Sequence, residues 1–306
     1  MLRALFITAL NFILQIMPAV RKTSEVKDIE KISLIANNLR EEVIKMLLEA
    51  ESGHPAGSLG MSDIFAALYF KILNVDPKNS SDPLRDRLVL SNGHICPILY
   101  ATLAERGYFP KTKLKLLRKM GSGLQGHPRL GDLPGIENSS GSLGQGLSQA
   151  AGMALAAKIK KDPYRIYCIT GDGELQEGQI WEAAMFAPSK KLDNLTWIID
   201  RNNIQISGFT EEIMPLENLR DKLESFNWYV LEIDGHNIEE IISACNMARS
   251  VSHRPTAIIA HTVPGKGVEF MEYKFEWHGK VPSKDQALKA LKSLASLKGK
   301  IKSDYD

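Results

Sequence analysis

Two apolar runs, Arg165–Thr170 and Leu195–Asp200, each end in a turn-forming cluster: Gly171-Asp172-Gly173-Glu174 after the first and Asn202-Asn203 after the second. β-Branched and aromatic residues dominate both runs, so both read as strands. Between them Gly178–Ala187 has helical character, and Pro188 is expected to close that helix. Strand, helix and strand in this order make a β-α-β unit, with the strands parallel and both clusters at the carboxyl edge of neighbouring strands. Open α/β sheets bind ligands at that edge. Asp172 offers a carboxylate oxygen and Asn202 an amide oxygen to a hard divalent cation, while Gly171 and Gly173 let a phosphate approach the backbone. The pattern points to a metal-diphosphate clamp.

The β-α-β rhythm recurs along the chain. Ile29, Ile32, Ile35, Leu39, Val43 and Leu47 put an apolar stripe on a helix over Val26–Ala50. After a loop at Ser52–Ser58, Ser62–Leu73 reads as a second helix with Ser62 as its cap, and Arg87–Leu90 as a short strand. Gly121–Ser140 is a long Gly- and Pro-rich loop, a length that usually carries function. Gly141–Ala157 starts as a Gly-rich turn and continues as a helix whose Gly144, Gly146, Gly152 and Ala154 permit close packing. Trp228–Ile233 and Thr256–His261 are strands around a helix at Ile238–Arg249, and Pro264–Gly267 opens a further loop. Ser283–Asp306 is Lys-rich and reads as a surface helix, with Leu288, Leu291 and Leu294 in a stripe, followed by a disordered tail. The expected fold class is α/β, a parallel β-sheet with helices on both faces. The expected division is an apolar extension at 1–25, one ligand-binding domain at 26–285, and a Lys-rich helix and tail at 286–306.

With 306 residues and 44% hydrophobic content, the chain can bury one large core. A net charge of +2 gives no global field for nucleic acid, and the run Lys111–Lys119 reads as a solvated helix face. Cys96, Cys168 and Cys245 are too scattered for a disulfide framework or a zinc site, so a reducing cytoplasm is expected. The first twenty residues, with Leu5–Leu10 and Phe12–Leu14 behind Arg3, resemble the apolar part of a signal peptide but are too short to span a bilayer. Met17 as the true start, or a helix at a subunit interface, accounts for that stretch without export, and no membrane association is expected.

Five further motifs fall in a fixed order: Ser52-Gly53-His54-Pro55, Ser91-Asn92-Gly93-His94, Gly126-His127-Pro128, Gly141-Ser142-Leu143-Gly144-Gln145-Gly146 and Trp277-His278-Gly279-Lys280. With the Gly-Asp-Gly turn and an Asn-Asn about thirty residues later, they occur as in transketolases. From about residue 27 to about 285 the chain resembles the amino-terminal, thiamine-diphosphate-binding half of that family, as found in two-subunit members. The resemblance implies that Asp172, Asn202 and the main-chain carbonyl of Ile204 ligate magnesium (Mg2+), for which calcium (Ca2+) can substitute. It implies that Gly173 donates its N–H to the diphosphate, with the start of the following helix favouring the anion. His94 and His278 then lie near the diphosphate and thiazolium, and His54 and His127 near the donor's hydroxyls. Gly141 and Leu143 line the aminopyrimidine, with Ser142 where larger members often have Pro. Glu177 and Glu182 match an acidic pair that meets its symmetry mate near a dimer axis. His236, His253 and His261 read as structural.

The activity implied is transfer of a two-carbon ketol (glycolaldehyde) unit from a ketose donor to an aldose acceptor, as sugars or sugar phosphates, in the pentose phosphate pathway. In this family the glutamate that activates the cofactor comes from a pyrimidine-binding domain, which does not follow before Asp306. A separate carboxyl-terminal chain, assembled with this one as a 2+2 heterotetramer, is therefore expected. Three rivals share part of the pattern: the α subunit of a 2-oxo-acid dehydrogenase, a deoxyxylulose-phosphate synthase, and a non-catalytic cofactor binder. The histidine-rich loops argue against the first, because decarboxylation needs no set of hydroxyl-handling imidazoles.

Overall fold

The computed structural model describes residues 27–297. The expectations for the apolar extension and for the tail beyond 297 lie outside the described residues. The elements in chain order are α1 (27–50), α2 (Pro55–Gly60), α3 (Ser62–Ala67, running on into a π turn at Leu68–Ile72), β1 (Arg87–Leu90), α4 (Cys96–Arg106), α5 (Gln145–Lys160), β2 (Ile166–Gly171), α6 (Gly178–Ser189) and β3 (Leu195–Arg201). There follow β4 (Ile204–Gln205), β5 (Gly208–Phe209), α7 (Thr210–Ile213), α8 (Leu219–Ser225), β6 (Tyr229–Asp234), α9 (Ile238–Ser250), β7 (Thr256–His261) and α10 (Lys284–Leu297).

Five strands pair in parallel in the order β1-β2-β3-β7-β6, and β4 and β5 form a small hairpin. Alternate residues serve opposite faces: Tyr167 and Ile169 join the core under α1 to α4, α9 and α10, while Ile166, Cys168, Trp197 and Ile199 join the core under α5, α6 and α8. Burial on both faces is why the runs around the clamp are almost unbroken in apolar residues. The fold class is the expected one. The register sets Gly171 beside Asp200 and Arg201 beside His261, so β2, β3 and β7 end level with one another.

Pro188 does not close its helix; it sits inside the last turn of α6, which ends at Ser189. A proline there denies an N–H to the carbonyl of Ala184, four residues back, and the buried indole N–H of Trp228 donates to that carbonyl at 2.9 Å instead. Ser62 is not a cap. The chain turns helical earlier, at Pro55, a residue suited to a first turn, and the Ser62 hydroxyl donates to the Ser58 carbonyl at 3.1 Å. Lys111–Lys119 is not an α-helical face: Lys111–Leu116 is a 3-10 segment that buries Leu114 and leaves its lysines in solvent.

Helix α10 follows its leucine pattern only in part; Leu291 packs against the core. Leu288 is 49% exposed, and Ala287, Ala290 and Leu294 are the residues that enter the core beside α1. The Asn37 amide of α1 donates to the Leu294 carbonyl at 3.1 Å. A buried charge network secures the strand edge from below. Arg40 of α1 pairs with Asp63 of α3, and Asp63 also meets His236 Nδ1 at 2.8 Å. The Val263 N–H donates to His236 Nε2 at 2.8 Å, which ties the end of β7 to the same network.

Candidate functional site

The ends of β1, β2 and β3 deliver Asn92, Gly171 to Gly173, Asp200 and Asn202 to one cavity of about 450 Å³. Asp172 is buried and fully engaged. Its Oδ1 accepts from the Gly173 N–H at 2.7 Å, and its Oδ2 from the Asn203 N–H at 2.7 Å and from Arg201 Nη1 at 3.0 Å. Burial pushes the Asp172 carboxyl up, and Arg201 with the two backbone donors opposes that shift. Asn203 can point its N–H back at Asp172 because it is left-handed, with φ +61°, a conformation asparagine tolerates. Arg201 is itself held, Nη2 reaching Glu211 at 2.6 Å and Glu217 at 2.8 Å.

Behind Asn202 stands Asp200. The Asn202 amide donates to Asp200 Oδ2 at 2.8 Å, the Thr262 hydroxyl donates to Oδ1, and the Ile204 N–H donates to Asn202 Oδ1 at 3.0 Å. Burial raises the Asp200 carboxyl to about 7, with the charge of Asp172 adding to the rise and the two donors opposing it. The Gly173 N–H, expected to face a phosphate, is donated to Asp172 Oδ1 at 2.7 Å, and one 3-10 turn, Gly173–Gln176, follows before α6 starts at Gly178.

The opposite wall is made of imidazoles. His54 comes from the loop before α2, His94 from the turn after β1, His127 from the long loop and His278 from the segment after β7. Ring centroids lie 5.1 Å apart for His54 and His94, 5.7 Å for His54 and His278, and 5.0 Å for His94 and His278. His127 lines the same cavity from its exposed side. Burial pushes His54 down to about 4, and His278, Arg118 and His127 act in the same direction. Burial likewise lowers His94, His278 and His127. Near neutral pH the wall therefore presents neutral rings, each with one N–H donor and one acceptor nitrogen. Such groups suit sugar hydroxyls.

Gly141, Leu143, Ile204 and Glu177 line this cavity too, whereas Glu182 stands outside it on the exposed side of α6. His236 lies in the buried network below, His261 meets Glu232 at 3.2 Å, and the exposed His253 touches Asp193 through its backbone N–H. Asn92 and Glu174 stand inside the sequence motifs without an assigned role, and Gln205 lies outside them; all three line the cavity. Asn92 is 1% exposed, yet neither its amide nitrogen nor its oxygen has a partner among the described residues, and the same holds for His54 Nδ1 and Gln205 Oε1. Buried polar atoms are rarely left so. A carboxylate and an amide oxygen for a cation, glycines without Cβ and unpaired buried polar atoms together fit a metal-bound diphosphate cofactor. Among the described residues no three His, Cys, Asp or Glu side chains converge as a metal centre; the set Asp172, Asn202 and the Ile204 carbonyl contains one such side chain.

Residues 32–300 match the family model described as transketolase, thiamine diphosphate binding domain. The chain is 47% identical over 243 residues to a 6-deoxy-6-sulfo-D-fructose transketolase subunit of a Clostridium species, covering 79% of this chain and 88% of that one. It is 42% identical over 267 residues to an apulose-4-phosphate transketolase subunit of Phocaeicola vulgatus, covering 87% and 95%. The crystal structure of transketolase from Campylobacter jejuni superposes with a TM-score of 0.81 at 37% identity, covering 87% of this chain and 43% of that one. Against that longer enzyme the chain spans less than half the length. Among the described residues, no helix is long and apolar enough to cross a membrane.

Proposed function

The chain belongs to the transketolase family, through its thiamine-diphosphate-binding domain, and we propose that it is the cofactor-diphosphate subunit of a two-subunit transketolase. The observation that carries this reading is the single cavity that sets Asp172 and Asn202 opposite four neutral imidazoles. Relatives of similar length are named as transketolase subunits, which supports a partner chain.

In this reading Asp172, Asn202 and the Ile204 carbonyl would hold magnesium, or calcium in its place, which would supply positive charge to the diphosphate. His94, Gly141, Leu143, Gly173, Asn202 and His278 contact the cofactor, with Gly173 freed from Asp172 where it serves phosphate. When bound, thiamine diphosphate supplies the nucleophilic carbon that breaks and remakes the bond beside a ketose carbonyl. His54 and His127 hold the donor's hydroxyls and exchange protons with them, which neutral rings do near pH 7. The glutamate that activates the cofactor belongs to the partner subunit, so neither chain completes a site alone. Residues 26–285 form the cofactor domain, and two copies of each chain assemble with Glu177 and Glu182 near the contact. The outer faces of α5 and α6 support that placement, since they expose Ile159, Met185 and Phe186.

The ketose and aldose stay within the sugar and sugar-phosphate class. The two relatives' names specify a sulfonated ketose and a ketose phosphate, so an acidic group on the donor is the first variable to test. A cytoplasmic setting and a place beside pentose phosphate metabolism follow from that substrate class. The decisive experiment mixes the chain with its carboxyl-terminal partner, thiamine diphosphate and magnesium, and assays glycolaldehyde transfer from neutral, phosphorylated and sulfonated ketoses to an aldose. Transfer by the mixture and none by either chain alone is expected. Robust transfer by the lone chain, or a loaded mixture that acts only on 2-oxo acids, overturns the reading.

A further inference from the structure

Glu174 follows the Gly171–Gly173 turn directly, yet it has no part in the roles above. Its side chain is 2% exposed and makes no ion pair with Lys, Arg or His among the described residues. Three donors hold it instead. Oε1 accepts from the Ser91 hydroxyl and from the Gly144 N–H at 2.7 Å, and Oε2 accepts from the Gly171 N–H at 3.1 Å. The Ser91 oxygen also accepts from the Gly146 N–H at 2.9 Å. One carboxylate thus joins the end of β1, the Gly-rich turn before α5 and the end of β2. Each donor is the immediate neighbour of a cavity residue: Ser91 of Asn92, Gly144 of Leu143, and Gly171 of Asp172.

Two glycines make this approach possible. A Cβ on Gly146 would fall 2.4 Å from Ser91 Cβ, and one on Gly144, which has φ +80°, would fall 2.8 Å from Glu177 Cβ. A carboxylate buried without a counter-ion is costly compared with an apolar side chain of the same volume. Packing alone gives no reason to keep one there; orienting three N–H and O–H groups at once does.

We propose that Glu174 is a positioning residue that holds the Gly141–Leu143 wall of the cavity in register with the Gly171–Gly173 turn, so that both ends of thiamine diphosphate meet preset partners. This inference rests on the cofactor reading above. The loss is expected in cofactor affinity, because the hydrogen bonds of Glu174 go to Ser91, Gly144 and Gly171 rather than to Asp172, Asn202 or the histidines.

The test reconstitutes this chain with its partner in magnesium and titrates thiamine diphosphate calorimetrically, well below the melting transition, for wild type, E174A, E174Q, S91A and the E174A/S91A double variant. E174A should raise Kd about tenfold or more, the scale of hydrogen bonds to a charged group. E174Q, with one acceptor oxygen left, should fall between E174A and wild type. At saturating cofactor kcat should stay within about threefold of wild type, so the effect sits in cofactor KM. S91A should cost less than E174A, and the double variant should match E174A, because the two groups act as one unit. An E174A variant that melts earlier but binds cofactor as wild type does would overturn the proposal, and so would losses that multiply in the double variant. If E174A fails to fold, wild-type affinity in both E174Q and S91A would overturn it. Wild-type assemblies that take up no thiamine diphosphate would overturn the functional reading itself, whereas tight wild-type binding with unmoved variants sinks only the inference about Glu174.

Discussion

The two walls of the cavity are built in opposite ways. On the strand side the groups around the candidate cation already have partners, although Asn92 and Gln205 Oε1 do not: Asp172 accepts three bonds, Arg201 reaches three carboxylates, and Asn202 is fixed by Asp200 and the Ile204 N–H. On the histidine side the rings come from four separate segments, those of His54, His94 and His278 lie 5.0–5.7 Å apart, and His54 Nδ1 has no partner among the described residues. A group that binds a fixed cation gains from being held before the ligand arrives. Groups that must donate to one hydroxyl and accept from another gain from keeping both ring nitrogens uncommitted. Rigidity on one wall and unspent hydrogen bonds on the other serve different chemistry.

The hardest test of that contrast is Asp172→Ala. It removes the one anionic candidate ligand, and cofactor affinity in magnesium should fall by about a hundredfold or more. Arg201 keeps Glu211 and Glu217, so the fold should survive with a loss of about 1–3 kcal/mol in thermal or denaturant melts. An Asp172→Ala protein that binds cofactor tightly would show that the strand wall is only structural. Asn202→Ala should act in the same direction, more weakly.

The histidine wall should break along a different line. His54→Ala and His127→Ala should leave cofactor affinity within about threefold while turnover in the assembled enzyme falls about a hundredfold, the usual scale of acid-base catalysis. His94→Ala and His278→Ala should lose turnover and also weaken cofactor binding. Single-turnover and binding measurements on the four variants separate these outcomes. Equal binding and equal rates in all four would remove the functional distinction within the wall.

The same wall makes stability depend on acid. His54 titrates near 4 in the fold against 6.5 for the free ring, so folding favours the neutral form. Its contribution is present above pH 6.5 and is lost as pH falls toward 4, where the unfolded chain binds the extra proton. His94, His278 and His127 shift the same way. The melting temperature should therefore drop through that window. His54→Gln, which cannot charge, should shrink the drop by a few degrees, at about 1.5 °C per kcal/mol for a chain of this size. A variant with the wild-type pH dependence would mean that His54 charges freely in the fold.

How much of this was legible in the sequence follows the same division between local and distant causes. The strands were readable almost to the residue, because burial on both faces leaves unbroken apolar runs, and Thr256–His261 matches its expected span. The resemblance also named Asp172, Asn202 and the four histidines that line the cavity. What stayed hidden depends on contacts far along the chain. Glu174 looks like any residue after a Gly-Asp-Gly turn until Ser91, 83 residues away, and Gly144, 30 away, are seen to donate to it. The amide of Asn92 has no local sign of burial. In α10 the leucine stripe held for Leu294, which is buried, and for Leu291, which packs against the core, but it missed that Ala287 and Ala290 face inward while Leu288 faces solvent. Pro188 misled because its cost is met by Trp228, 40 residues downstream.

The smallest expected effect probes the second layer of the strand wall. Thr262 does not line the main cavity; its hydroxyl donates to Asp200 Oδ1, and Asp200 Oδ2 accepts from the amide that aims the Asn202 oxygen. Thr262→Val keeps the β-branched shape at the end of β7 and removes that one donor. Asp200 is then left with Asn202 as its side-chain donor, and the Asn202 amide has more freedom to turn. Cofactor affinity in magnesium should fall about three- to tenfold, below the roughly ten- to hundredfold typical of partners that hold a metal ligand directly, because Thr262 acts one step further back, while rates at saturating cofactor stay near wild type. On the histidine wall His54 Nδ1 has no such support, since it lacks any partner among the described residues. A Thr262→Val protein with unchanged affinity would mean that Asn202 is aimed by the Ile204 N–H alone, and that the two walls differ less in construction than their hydrogen bonds imply.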